Sequence, residues 1–262
     1  MVWSCLVSIL PGMAQTEKLT DYVNPFVGTD GYGNVYPGAQ IPFGGIQMSP
    51  DTDSRFYDAA SGYKYNHLTL MGFSLTHLSG TGIPDLGDFL FIPGTGEMKL
   101  EPGTHEDPDK GYRSRYSHDK EWASPNYYAV ELADYGVKAE MTSGVRSGMF
   151  RFTYPESDSA FIMIDMNHTL WQSCEWSNLR MINDSTITGY KLVKGWGPER
   201  HVYLTATFSK KLTGLRFMQD KKPVIYNTSR FRSSYEAWGK NLMACLSFDT
   251  KAGEEVIVKT AV

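Results

Sequence analysis

A succession of short apolar segments, several of them alternating with period two and separated by turn residues, restricts this chain more than any other feature. The segments are Tyr127–Leu132, Val137–Thr142, Met149–Tyr154, Ala160–Met166, Thr186–Tyr190, Val202–Phe208, Leu215–Met218, Leu242–Phe248 and Val256–Thr260. Phe150, Phe152 and Tyr154 share one parity, as do Tyr203, Thr205 and Thr207, which is what a half-buried strand requires. Gly136, Gly144, Gly189 and Asn183-Asp184 read as the turns between strands. The best helix-period stretch, Ser234–Leu242, is shorter than about three turns, so an α/β architecture is disfavoured. The expected fold is all-β: a large antiparallel β-sandwich with long Gly/Pro-rich loops and little helix.

Upstream, from Leu19 to about Gly103, the chain is dense in Gly and Pro, with short apolar runs at Val23–Phe26, Ile46–Met48 and Phe89–Ile92. This region reads as the entry to the sheets with elaborate loops. The 25 basic and 29 acidic residues are spread without blocks of one sign, which argues against a nucleic-acid partner. No run approaches the length of about 18 apolar residues that a membrane span needs. Residues 1–14 carry an apolar run ending in Gly12-Met13-Ala14, a small-x-small pattern that suits leader cleavage, so export to the periplasm or beyond is expected, although a basic n-region is missing. Residues 19–262 form the expected domain. Because Glu254–Val262 reads as a strand in mid-course, the chain is expected to be part of something longer.

Three segments carry chemistry. The first, Asn34–Ala39 followed by Pro42–Gly45 and Met48–Thr52, is too rich in Gly and Pro for regular ladders; it reads either as a functional loop or as a sheet edge closed by Pro. The second runs from Ser61-Gly62-Tyr63-Lys64-Tyr65 through Gly72–Gly82 to Asp85 and Asp88, where short hydroxyl side chains and glycines suit a polyhydroxylated ligand. It lacks the Lys-Ser/Thr end of a phosphate loop and the Gly-x-Ser-x-Gly of a hydrolase elbow. His77 with Asp85 and Asp88 reads as a metal or acid–base set, or as a buried, hydrogen-bonded histidine with neighbours. The third places Trp196, within Lys194–Pro198, as a sugar platform or a core residue. Cys174 and Cys245 have no spacing that identifies a disulfide or a metal site.

The ordered blocks Asp21–Thr29, Tyr36–Ala39, Pro42–Gly44, Ser49–Thr52, Ser61–Tyr63, Gly72–Ser74 and Thr76–Gly82 together resemble glycoside hydrolase family 92. The resemblance implies a β-sandwich of the galactose-mutarotase-like supersandwich type that precedes a helical (α/α)6 barrel, with the active site between them. It implies an inverting, calcium-dependent exo-α-mannosidase acting on N-glycans or mannans, whose acid, base and most calcium ligands lie in the barrel, outside this chain. No catalytic residue is therefore expected here. Substrate-binding positions carried over are Asn34, Tyr63, Tyr65, His77, Asp85 and, as a later echo, Trp196. Ile83 stands where some members that prefer α-1,2 linkages have a tryptophan, so that preference is not expected. Two other readings stay open: a stand-alone carbohydrate-binding module and a mutarotase-like sugar epimerase.

Overall fold

The computed structural model describes residues 17–54, 59–225 and 235–262; the expected leader and Cys5 lie outside them. Two antiparallel sheets face each other. One runs in the order β1 (Ser49–Asp51), β3 (Gly72–Ser74), β4 (Leu90–Thr95), β10 (Ser157–Asp165), β17 (Leu242–Thr250), β14 (Gly214–Gln219) and β15 (Lys222–Pro223). The other runs β16 (Glu236–Gly239), β11 (Ser173–Asn183), β12 (Thr186–Lys194), β13 (Arg200–Phe208), β18 (Glu254–Ala261), β9 (Ser147–Tyr154), β8 (Val137–Ser143), β7 (Tyr127–Leu132) and β6 (Glu121–Ser124). A small ribbon pairs β2 (Thr69–Leu70) with β5 (Ser114–Arg115). The expected all-β sandwich is the observed one.

The two sheets differ in pattern because they differ in cover. The nine-stranded sheet buries one face only, so β9 and β13 alternate strictly: Phe150, Phe152, Val202, Leu204 and Ala206 point inward, while Tyr203, Thr205 and Thr207 face solvent. Central strands of the seven-stranded sheet are covered on both faces. Its inner side joins the main core, and its outer side packs Leu90, Ile92, Phe161, Met163 and Met243 under Met98, Leu100 and Tyr112. Hence β4 and β10 read as nearly continuous apolar runs.

One local expectation is corrected, and two segments carry what their sequence pattern did not show. Gly189 sits inside β12 rather than at a turn; a Cβ there would come within 2.9 Å of Met166 Cε, so the glycine makes room for a core side chain. The helix-period stretch at Ser234–Leu242, described from residue 235 onward, gives β16, whose outward Trp238 and inward Ala237 only mimic helical spacing, and then a turn at Asn241 (φ 55°) into β17. The long β11 was not expected. A register shift between Cys174 and Trp176 breaks its parity, so Cys174, Ser177 and Leu179 all face inward without a common period.

Cys174 on β11 and Cys245 on β17 are both buried free thiols. Burial pushes the Cys174 thiol up and the Cys245 thiol up to about 11. A thiol reagent at pH 8 is therefore expected to leave both unmodified until urea unfolds the chain, and a reductant should not move the melting temperature. Labelling of either in the native protein would contradict their placement.

Candidate functional site

The chemistry-bearing loops start from a buried carboxylate. Short β1 pairs with β3 so that Asp51 lies opposite Gly72 and Ser49 opposite Ser74, which brings the Asp51 side chain to the turn that follows β3. There, Asp51 Oδ1 is 2.8 Å from His77 Nε2 and Oδ2 is 2.9 Å from His168 Nε2. The other His77 nitrogen, Nδ1, lies 2.7 Å from the Gln47 carbonyl, so both sides of the ring face acceptors. Burial alone would raise the Asp51 pKa, but the charge and hydrogen bonds of His77 and His168 outweigh it and hold the group well below the usual carboxylate range.

A second buried carboxylate, Asp88, adjoins the first. Its Oδ2 accepts from Thr76 Oγ1 at 2.7 Å and from Arg200 Nη1, and Lys191 Nζ closes on Oδ1 at 3.0 Å. Lys191 is wholly buried; its ammonium also donates to the His168 carbonyl at 2.6 Å and lies 5.3 Å from the centre of the Phe89 ring. Burial acts to raise Asp88, yet the charges of Lys191 and Arg200 bring it down to about 2. One polar chain thus runs His77, Asp51, His168, Lys191, Asp88, Arg200 through the base of the loops.

The same base ties the loops to each other. Gly80 N–H donates to the Asn34 carbonyl at 2.7 Å, Tyr65 N–H to Thr29 at 2.9 Å, and Lys64 Nζ to the Gly31 carbonyl at 2.7 Å. His77 and Leu86 form an antiparallel bridge, and the Tyr36 ring packs 5.1 Å from His77. Asp85 Oδ1 accepts from Leu86 N–H at 2.6 Å and from the Gln172 amide, whose oxygen lies 3.4 Å from Arg200 Nη2. Gly195, next to Trp196, would drive a Cβ to 2.4 Å from Gln172 Cγ, so the tip of the β12–β13 hairpin sits on the same residue.

The sequence-derived positions therefore fall into two layers. Asn34, held at φ 51° with its side-chain Oδ1 buried and unpartnered, Tyr65 at 38% exposure and Trp196 at 67% reach the surface. Tyr63, His77 and Asp85 do not. Tyr63 is 1% exposed, and its hydroxyl donates to the buried Glu121 carboxylate at 2.9 Å, as does Tyr128 at 2.5 Å; Asp85 is 9% exposed and held by Leu86 N–H and Gln172. All three support the rim from behind. Sequence reasoning missed His168, Gln172, Lys191 and Arg200, although Lys191 left a signal: it shares the inward parity of Ile187 and Val193, where a lysine needs a buried partner.

Gly62 is a tight point in this base. It adopts φ 86°, and a Cβ would lie 2.1 Å from Asp51 Oδ1 and 3.2 Å from the His77 ring. Gly62→Ala is expected to destabilise the fold by about 2–4 kcal/mol, from the left-handed backbone and from displacement of Asp51. Urea unfolding measures this; an unchanged midpoint would show that Asp51 is not held as described.

No group of three or more His, Cys, Asp or Glu among the described residues is arranged to hold a metal. Calcium takes six to eight oxygen ligands. Asp51 and Asp88 already face histidines and cations, so these residues do not fit a calcium cage by themselves.

Residues 22–262 match the model of the glycosyl hydrolase family 92 N-terminal domain. The chain belongs to family 92. This family 92 domain is 97% identical to the family GH92 α-mannosidase BT3965 from Bacteroides thetaiotaomicron, with a TM-score of 0.91 over 94% of this chain and 33% of that one. A structure of that mannosidase in complex with mannoimidazole matches equally. The family 92 glycosyl hydrolase ccman5 has a TM-score of 0.76 at 26% identity, over 92% of this chain and 32% of its own. An uncharacterized secreted glycosidase of Arthroderma benhamiae is 29% identical over 140 residues, which is 53% of this chain and 18% of that protein. The family 92 domain thus spans about a third of the mannosidases it matches. Among its described residues no helix is long and apolar enough to cross a membrane.

Proposed function

We propose that this chain is the substrate-pocket-forming domain of an exported exo-α-mannosidase acting on mannose-containing glycans. The observation that carries the reading is the joining of Asn34, the Tyr65 turn and the His77–Asp85 block, far apart in sequence, into one hydrogen-bonded rim braced by buried charges. Asn34, Tyr65 and Trp196, which reach the surface, are the groups that orient a mannose at this rim: an amide N–H and a phenol hydroxyl for its hydroxyls, and an indole for its C–H face, with buried Asp85 fixing the loop behind them. His77 and Tyr63 position them.

Inversion needs a carboxylic acid that protonates the glycosidic oxygen and a carboxylate that activates water on the opposite face. In this chain Asp51 and Asp88 are sealed and paired, so the reading assigns both roles, and the calcium, to a helical barrel supplied by further polypeptide. Periplasmic or secreted placement rests on the leader-like start and the secreted relative.

The test is complementation. The 262-residue chain alone should not hydrolyse an aryl α-mannoside, and mixing it with the remaining part of the BT3965 chain should produce turnover. Asp85→Ala should then lower kcat/KM by at least about tenfold with the fold intact. Turnover by the isolated chain would overturn the division of labour, and a failure to complement would favour a stand-alone carbohydrate-binding module.

A further inference from the structure

Beside the contact between Gln172 and Asp85, a second concavity opens at the end of the seven-stranded sheet. Its volume of ≈ 900 Å³ lies within the range of ligand sites. The floor is apolar, built from Met71, Tyr112 and Met243 of the cluster that covers the outer face of this sheet. The rim is polar, with Asn167, Gln172 and Asn241 contributing amides.

Trp171 stands on this rim with φ 74° and 58% of its surface exposed. A bulky side chain in the left-handed region costs about 1–3 kcal/mol and persists where something other than local preference holds it. Core burial does not offset that cost here, because most of the residue faces solvent. Asp220 and Lys221, the two-residue turn of the β14–β15 hairpin, and Asn241 in the turn before β17 line the same opening and adopt positive φ as such turns require, so Trp171 alone among these needs another explanation.

Among the described residues, the rim leaves no cation free for an anion, which narrows the ligand. Lys221 pairs with Glu101 and Lys240 with Glu175 at 3.0 Å, while Asp220, hydrogen-bonded by Asn241 Nδ2 at 2.6 Å, and Asp165 add carboxylates to the lining. Anionic ligands are therefore turned away, and hydroxyl donors find acceptors. An exposed indole, an apolar floor and amides around it suit a neutral ring with one C–H face and several hydroxyls.

We propose that this cleft is a second sugar-binding site, with Trp171 as the platform for a neutral pyranose and Asn167 and Gln172 as its polar contacts. The inference rests on the glycan reading above and deepens it. Because Gln172 also holds Asp85, the cleft adjoins the first rim and takes another unit of the same glycan.

The test uses the whole chain labelled with 5-fluorotryptophan, whose six tryptophans are followed by fluorine NMR during titration with α-linked mannotriose. The Trp171 signal, identified by its loss in a variant, should move and saturate. Trp171→Gly should weaken mannotriose binding at least about tenfold while leaving the urea midpoint no lower, because glycine adopts this φ without strain. Asn167→Ala should weaken it by about fivefold. A Trp171 signal that stays still, no binding by the unmodified chain, or unchanged affinity in Trp171→Gly each overturns the cleft. Binding that shifts Trp196 alone removes the cleft and leaves the mannosidase reading standing; failed complementation with cleft binding intact does the reverse.

Discussion

Asp88→Ala should cost about 3–5 kcal/mol of folding stability, among the largest effects any single substitution here can have. The reason is Lys191. Its ammonium has no exposed surface, and its ion-pair partner is Asp88 at 3.0 Å; without that carboxylate a positive charge stays in the core beside the His168 carbonyl and the Phe89 ring, with no carboxylate in contact. Arg200, 28% exposed, has an escape to water that Lys191 lacks. The cost therefore belongs to the buried lysine, and a double variant shows it: Asp88→Leu with Lys191→Met should recover most of the loss, since replacing a buried pair by apolar groups is often nearly neutral. Urea unfolding of the single and double variants decides this. Equal loss in both would mean that Asp88 acts through Thr76 and the loop, and not through the charge pair.

Asp51→Asn is the second large change, with an expected loss of about 3 kcal/mol at pH 7, because two buried histidines lose their shared anion. It also makes a claim about acid. Asp51 and Asp88 both have folded pKa values below the unfolded value of 3.8. Below that value the unfolded chain takes up protons that the folded chain refuses, so their stabilisation is complete above about pH 5 and is lost as pH falls from about 4 towards 2. Burial raises Asp165, which contributes with the opposite sign, but at pH above its unfolded value of 3.8 and so before this fall begins. The unfolding midpoint should drop steeply between about pH 4 and 2 in the natural chain and less steeply in Asp51→Asn. Parallel pH profiles would show that Asp51 does not carry the predicted linkage.

Most of the strands were legible because alternation is a local property. Tyr127–Leu132 is read directly from Tyr128, Val130 and Leu132 on the inward parity, and it is the observed β7. β11 was not legible, because its shifted register erases the period at Cys174–Trp176. For the site, the blocks around Asn34, Tyr63 and His77 stood out by composition, and they are indeed neighbours. Which of them meet solvent was not legible. Tyr63 and Tyr65 are two residues apart in one turn, yet one is sealed against Glu121 and the other stacks 3.9 Å from His118 at the surface.

The amino-acid sequence by itself determined the all-β class, the alternating strands and the loop blocks that mark family 92, since each depends on neighbours a few residues apart. Only the tertiary structure decided that Asp51 joins His77 to His168, 117 residues away from it, and that Asp88 is closed by Lys191 and Arg200, the latter 112 residues distant. Buried charges need partners, and which partners they find depends on how the two sheets stack and not on anything written beside them in the chain.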